Sequence, residues 1–247
     1  TAARSEHLKV HYRSRSADLI RFSNHHFYDD RLVVFPDPRP AFESAAIKDV
    51  YLPNARYDPT GGHINRGEAD EVTELVVKMM ETLPREESIG VVAFSRAQAD
   101  YIREVIDQKR FVRRDLDDRF SEEGHEPFFI KNLENVQGDE RDHMILCIGY
   151  GPTVGSGQVP NRFGPINQEG GHRRLNVAIT RARQTMTVVH SLRPSDIRSQ
   201  QPGSVLLREY LEYVRNPTKY FEAMVNVSAD AEPESPFEEA VISELRK

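Results

Sequence analysis

The 247-residue sequence holds one cysteine, Cys147. No internal disulfide can form, and no zinc site can be assembled from several thiolates. A reducing setting, the cytoplasm, is therefore expected. No apolar run approaches the roughly 18 residues that a membrane-spanning helix needs. The opening stretch TAARSEHLKV lacks the charged-then-apolar layout of a secretory signal. Lysine is scarce: of the 33 basic residues 26 are Arg, and none of the seven Lys follows a glycine. A P-loop needs Gly-x-x-x-x-Gly-Lys-Ser/Thr, because backbone amides cradle phosphates while the Lys neutralises them. That cradle is missing, and no apolar strand ends in an Asp-Glu pair that would hold magnesium.

What is present supports a globular domain. Hydrophobic residues make up 38% and charged residues 29%, with a mean hydropathy of −0.60. The chain is polar yet able to bury a core. A net charge of −6 argues against a generally basic coat for nucleic acid. The Arg excess suits phosphate and carboxylate recognition, and a GC-rich genome accounts for it equally well.

Short apolar runs alternate with helical patterns. Residues 47–52, 89–94, 128–130, 144–148 and 186–189 read as buried strands. Residues 68–83 carry Val72, Leu75, Val76 and Met79 on one stripe and stop at Pro84; residues 97–109 group Ile102, Val105 and Ile106. Residues 175–182 form a third, shorter helix, and residues 206–214 a last one ended by Asn216-Pro217. This alternation predicts an α/β fold, an open, mostly parallel sheet with helices on both faces. Pro36, Pro38 and Pro40 mark an exposed connection. Residues 151–171, with six glycines and three prolines, read as a structureless insertion, functional or mobile. Residues 226–234 read as an acidic linker. Ser235-Pro-Phe-Glu-Glu-Ala restarts a helix, so residues 235–247 are expected to open a further domain in which the chain was cut.

Three segments carry chemistry. The first is His11-Tyr12-Arg13-Ser14-Arg15. The second is Asn132-Leu-Glu-Asn-Val-Gln137-Gly138-Asp139-Glu140-Arg141-Asp142. The third is Arg173-Arg-Leu-Asn-Val-Ala-Ile-Thr180-Arg181-Ala-Arg183. The second and third are expected at a sheet end, where open α/β sheets build ligand crevices. Gln137-Gly138 supplies a tight turn, and Glu140 beyond it could accept hydrogen bonds from a sugar hydroxyl. On a helix Arg181 and Arg183 would point about 200° apart, so they cannot share one task; Arg183 is assigned the internal role. Tyr12 beside Arg13 offers an aromatic face and a guanidinium, as a base and a phosphate require. Cys147 reads as a small buried hydrophobe, and His25-His26 lacks a third metal ligand. No metal site is expected.

In order, these segments resemble the carboxy-terminal motor motifs of superfamily 1 helicases, closest to the branch of the nonsense-mediated-decay RNA helicase and its bacterial DNA-helicase relatives. The resemblance covers residues 7–215. It implies a RecA-like second motor domain over residues 1–225, with the first motor domain upstream and holding most of the Mg. By the same resemblance Tyr12 packs on adenine, Arg13 touches the γ-phosphate, Gly138 and Glu140 hold the ribose, and Arg181 is the arginine finger. His11 departs from the usual Gln or Asn. Ser95 and Arg96 at a helix start, with Asn132 and Asn135, would grip single-stranded nucleic acid, expected to be DNA. The cofactor is then ATP, and the isolated chain should not hydrolyse it. A nuclease-like following domain is implied by residues 235–247. The rival expectation is a catalytically inactive RecA-like docking module in a larger defence or repair nuclease.

Overall fold

Alternate side chains of the run Ile89–Ala93 enter two different apolar clusters, which requires helices on both faces of the strand. The computed structural model describes residues 10–11, 13–34, 46–120 and 126–222. Tyr12, Pro36, Pro38, Pro40 and the linker and terminal helix expected over 226–247 lie outside these residues. Five strands make the central sheet: β3 (Ile47–Tyr51), β6 (Ile89–Ala93), β7 (Phe129–Asn132), β8 (Arg141–Cys147) and β9 (Ala182–His190). Two short pairs lie apart from it, β1 (Val10–His11) with β2 (Val33–Val34), and β4 (Tyr57–Asp58) with β5 (Ile64–Asn65). The helices are α1 (Asp18–Tyr28), α2 (Arg66–Thr82), α3 (Arg96–Val112), α4 (Gly171–Ile179) and α5 (Pro202–Arg215).

The sheet order is β3-β9-β8-β6-β7, and every neighbouring pair is parallel. This is the expected α/β architecture. Helices α2 and α3 pack Val72, Val76, Ile102 and Ile106 against Val91, Ile145 and Val189. On the other face α1, α4 and α5 bring Phe22, Leu175, Leu207 and Tyr213 to Val92, Leu146 and Val188. No described helix is long and apolar enough to cross a membrane.

Local chemistry starts the helices. The Asn65 side chain accepts from Glu68 N to open α2, Ser95 Oγ accepts from Gln98 N to open α3, and Pro202 sits in the first turn of α5. Two expectations need correction. Residues 151–171 are not a structureless insertion: Phe163 and Ile166 are fully buried, and Gly164–Asn167 is a short 3-10 turn. Gly171 and Gly203 let α4 and α5 start against the Ile166 carbonyl, where any Cβ would collide. The third helix ends at Ile179, so residues 180–182 are the junction into β9 and not helix.

Candidate functional site

Strands β8 and β9 begin three to four residues before their apolar runs, and those extra residues build the site. Three chain segments are laced together there by backbone hydrogen bonds. Arg15 N donates to Arg183 O at 2.8 Å, and Arg141 N donates to Arg181 O at 3.2 Å. Ser14 Oγ adds a long bond to Ala182 O at 3.4 Å. The first, second and third segments of the sequence thus converge on the amino ends of β8 and β9.

Arg13, Glu140 and Arg181 meet at this point. Arg13 Nε lies 2.9 Å from Glu140 Oε2, and both side chains remain about one-third exposed, 37% and 31%. Arg181 is half-buried; its Nε donates to Val177 O at 2.9 Å, which fixes the plane of the guanidinium on the end of α4. Among the described residues its two terminal nitrogens have no hydrogen-bond or ion-pair partner. Burial, then the charge of Arg13, lowers its pKa, opposed by Glu140 and Asp139. Such a side chain has an unmet need for an anion. Two guanidiniums beside one carboxylate can donate to phosphate oxygens on one side and accept from hydroxyls on the other.

The supporting residues explain the placement. Ser14 N donates to His11 Nε2 at 3.1 Å, and Ser14 Oγ lies 2.9 Å from the same nitrogen. His11 therefore closes the turn that presents Arg13, and burial followed by Arg13 lowers its pKa. Gly138 has φ +96° with open space where a Cβ would be. It turns the chain two residues ahead of Glu140, which directly precedes β8. Between Asn132 and Gly138 the crossover is made without a helix, because Leu133 and Val136 plug directly into the core.

The site lies at the amino ends of the strands, whereas an open α/β sheet ordinarily takes its ligand at their carboxyl ends. The carboxyl-end switch point does exist: β6 runs on into α3 on one face and β8 leads to α4 on the other. It is filled. Glu68 Oε2 accepts from Gly149 N at 2.6 Å, and Glu68 Oε1 accepts from Ser191 Oγ at 2.7 Å and Asn65 Nδ2 at 2.9 Å. Gln98 Nε2 donates to Asn65 O at 2.9 Å. Burial pushes the Glu68 carboxyl up to about 7 against these hydrogen bonds. Cys147 is buried as expected but is not surrounded by hydrocarbon alone, since its Sγ lies 3.5 Å from Glu68 Oε2. The sequence signal for this cluster is slight: Asn65 and Gln98 look like ordinary helix-start residues.

The candidate strand-gripping residues sit at that carboxyl end, about 20 Å from Glu140 along the seven residues of β8. Ser95 caps α3, accepting from Gln98 N at 3.1 Å. Arg96 is exposed, with only a loose 3.6 Å contact to Asp100. Asn132 is buried, and its Oδ1 accepts from Glu134 N and Asn135 N, each at 3.1 Å. Its carbonyl is taken up in the turn, which leaves Asn135 as the exposed member of the pair.

Arg183, as expected, points inward. The helical argument for it does not hold, because residues 181–183 straddle a helix–strand junction. The cause is instead a cluster of acids that sequence reasoning missed: Arg183 pairs with Glu126 and, at 3.0 Å, with Asp142. These partners come from chain regions 41 and 57 residues away, with no local pattern to reveal them. His25 and His26 belong to an aromatic cluster, with His26 Nε2 2.9 Å from Tyr220 Oη. Among the described residues no group of three or more His, Cys, Asp or Glu could hold a metal ion.

Residues 2–193 match a family model described as an AAA domain. The chain belongs to this superfamily 1 helicase family. Its relatives include an uncharacterized ATP-dependent helicase of Mycoplasma pneumoniae, 37% identical over 89% of this chain. The counterpart in Mycoplasma genitalium is 38% identical over 83% of it. A regulator of nonsense transcripts 1 homolog from Arabidopsis thaliana is 26% identical over 83%. The helicase-family chain spans 18% of the length of each Mycoplasma relative and 16% of the plant one. It also aligns with a solved C-terminal domain of a Lactobacillus protein titled a "possible DNA helicase", at 11% identity and a TM-score of 0.44, covering 81% of this chain and 96% of that one.

Proposed function

We propose that this domain is the second, RecA-like motor domain of an ATP-dependent superfamily 1 helicase or translocase. Its amino-end site would supply the arginine side of an ATP cleft whose phosphate cradle and Mg ligands belong to a first motor domain of the same full-length protein. The observation that carries this reading is the convergence of Arg13, Glu140 and Arg181 from three distant segments, with no ion-pair partner for Arg181 among the described residues. ATP supplies the bond whose cleavage drives the cycle. Arg181 would stabilise charge developing on the transferred phosphoryl group, Arg13 would sense the γ-phosphate, and Glu140 would accept from the ribose hydroxyls. Tyr12 would pack on the adenine. Closure of the two domains on ATP and reopening after hydrolysis is a two-state transition that the nucleotide biases. Single-stranded nucleic acid, DNA by the bacterial resemblance, would run over the carboxyl end past Arg96 and Asn135. The separation of the two ends lets the strand and the nucleotide occupy the domain together.

In the full-length protein Arg181→Ala is expected to lower ATP turnover by about 10³ or more, the usual worth of an arginine finger. Single-strand affinity should be nearly unchanged, since the Arg96 and Asn135 surface is remote. Strand-stimulated ATPase and strand-binding assays on one preparation check both; retained turnover would overturn the assignment. The isolated chain is expected to show no ATPase.

A further inference from the structure

Arg183 has no task in the ATP-site reading, yet it is the most firmly held guanidinium near the site. Its Nη1 lies 2.6 Å from Glu126 Oε1, and its Nη2 reaches Glu126 Oε2. Its Nε and Nη2 lie 3.2 Å and 3.0 Å from the two Asp142 oxygens. Ser88 ties the acids together: its Oγ is 2.6 Å from Glu126 Oε2, and its backbone N donates to Asp142 Oδ2 at 3.0 Å. All three Arg183 nitrogens are therefore fixed. Arg141, which donates to Glu140 O at 2.6 Å and Pro127 O at 3.0 Å, brings a second cation to the two acids.

One contact leads from this clamp to the site. Arg183 Nη1 is 3.6 Å from Glu140 Oε1, while Arg13 Nε holds the other oxygen at 2.9 Å. Glu140 thus stands between a fixed guanidinium and a partly exposed one. If Glu140 takes the ribose and Arg13 takes the γ-phosphate, their mutual pair must break. The carboxylate then loses its main counter-charge, and something must keep it from rotating into solvent.

We propose that Arg183 is a positioning residue that, locked by Glu126, Asp142 and Ser88, holds Glu140 in place while Glu140 exchanges Arg13 for the ribose hydroxyls of the nucleotide. Sugar recognition thereby frees Arg13 for the phosphate. The proposal rests on the ATP-site reading above, and it makes the response to the sugar, not only to the phosphates, depend on a residue that touches neither.

The test uses the full-length helicase and strand-stimulated hydrolysis of ATP, 2′-deoxy-ATP and 3′-deoxy-ATP. Wild type is expected to prefer ATP through KM. Arg183→Lys cannot keep the bidentate geometry. It should raise the KM for ATP toward that of the weaker deoxy analogue by roughly tenfold, about one hydrogen bond to a charged group, with kcat changed far less. Glu126→Gln removes the charged partner that locks Arg183, loosens its hold on Glu140 and should shift the same ratio in the same direction by a smaller factor. A merely structural clamp would lower the thermal midpoint in both variants and leave the ratio fixed; that result overturns the proposal. Should Arg183→Lys not fold, an unchanged ratio in Glu126→Gln overturns it alone. The underlying reading fails separately, through unimpaired turnover in Arg181→Ala.

Discussion

Two buried acids give the domain opposite responses to pH. Asp142 is opposed by burial, but hydrogen bonds from Arg183, the Ser88 backbone and Gln184 prevail and hold its carboxyl far below the usual carboxylate range. Glu126 is lowered by Arg183 in the same way. A depressed folded pKa means that the unfolded chain binds protons first as pH drops. Stability from this cluster should be complete above about pH 4 and be lost below it. Glu68 has the reverse sign. Its folded pKa of about 7, against an ordinary 4.5, keeps a proton that the unfolded chain has released. Stability from Glu68 is full below 4.5 and declines as pH rises to 7. His26, which burial holds down to about 4 against an ordinary 6.5, contributes the opposite slope over nearly the same range. The Glu68 effect is therefore read by difference: between pH 4.5 and 7 thermal midpoints should rise more steeply in Glu68→Gln than in the unaltered chain. Parallel profiles in the two would show that Glu68 does not titrate in this range.

At the scale of elements, the sequence was legible where periodicity was strong and mute where polar residues extend a strand. Apolar runs located all five central strands, and helices α2, α3 and α5 fell close to their expected bounds. The amino-terminal ends of β8 and β9 were invisible, because Arg141, Asp142, Arg183 and Gln184 join the sheet through mutual pairing that no hydrophobic pattern announces. The helix expected to reach residue 182 stops at Ile179 for the same reason: β9 pairing with Arg141 captures the chain. The three motifs did identify the residues that meet at the site, while the end of the sheet they occupy depended on β8 register. Gly138 is the element-level test. With φ +96° and open space around it, Gly138→Ala adds no clash, so its cost should be backbone strain alone, roughly 1–2 kcal/mol. Chemical denaturation measures it; no loss would mean that the turn relaxes to another conformation. The 151–171 segment has a harsher counterpart. Phe163 is fully buried, and Phe163→Ala should cost about 3–5 kcal/mol, as a core aromatic does. A loss below 1 kcal/mol, the scale of a surface change, would contradict the anchored arrangement.

Across the whole molecule the sheet separates two surfaces. Its carboxyl end, where an open α/β sheet ordinarily takes a ligand, is sealed by Glu68, Asn65, Gln98 and Ser191. The amino end carries the cationic pair and Glu140. A rigid parallel sheet between them is suited to coupling, because a shift of the amino end against a neighbouring domain moves the carboxyl end with it. Both faces of the sheet are packed with helices, so the proposed coupling would need no internal rearrangement. The most direct measurement is a structure of the full-length helicase with ADP and a planar phosphoryl-transfer mimic such as aluminium fluoride. Arg181 should then lie within hydrogen-bonding distance, about 3 Å, of the mimic's fluorines, with Arg13 beside it and Glu140 on the ribose. An Arg181 guanidinium that still faces solvent in the closed, nucleotide-filled state would contradict the account.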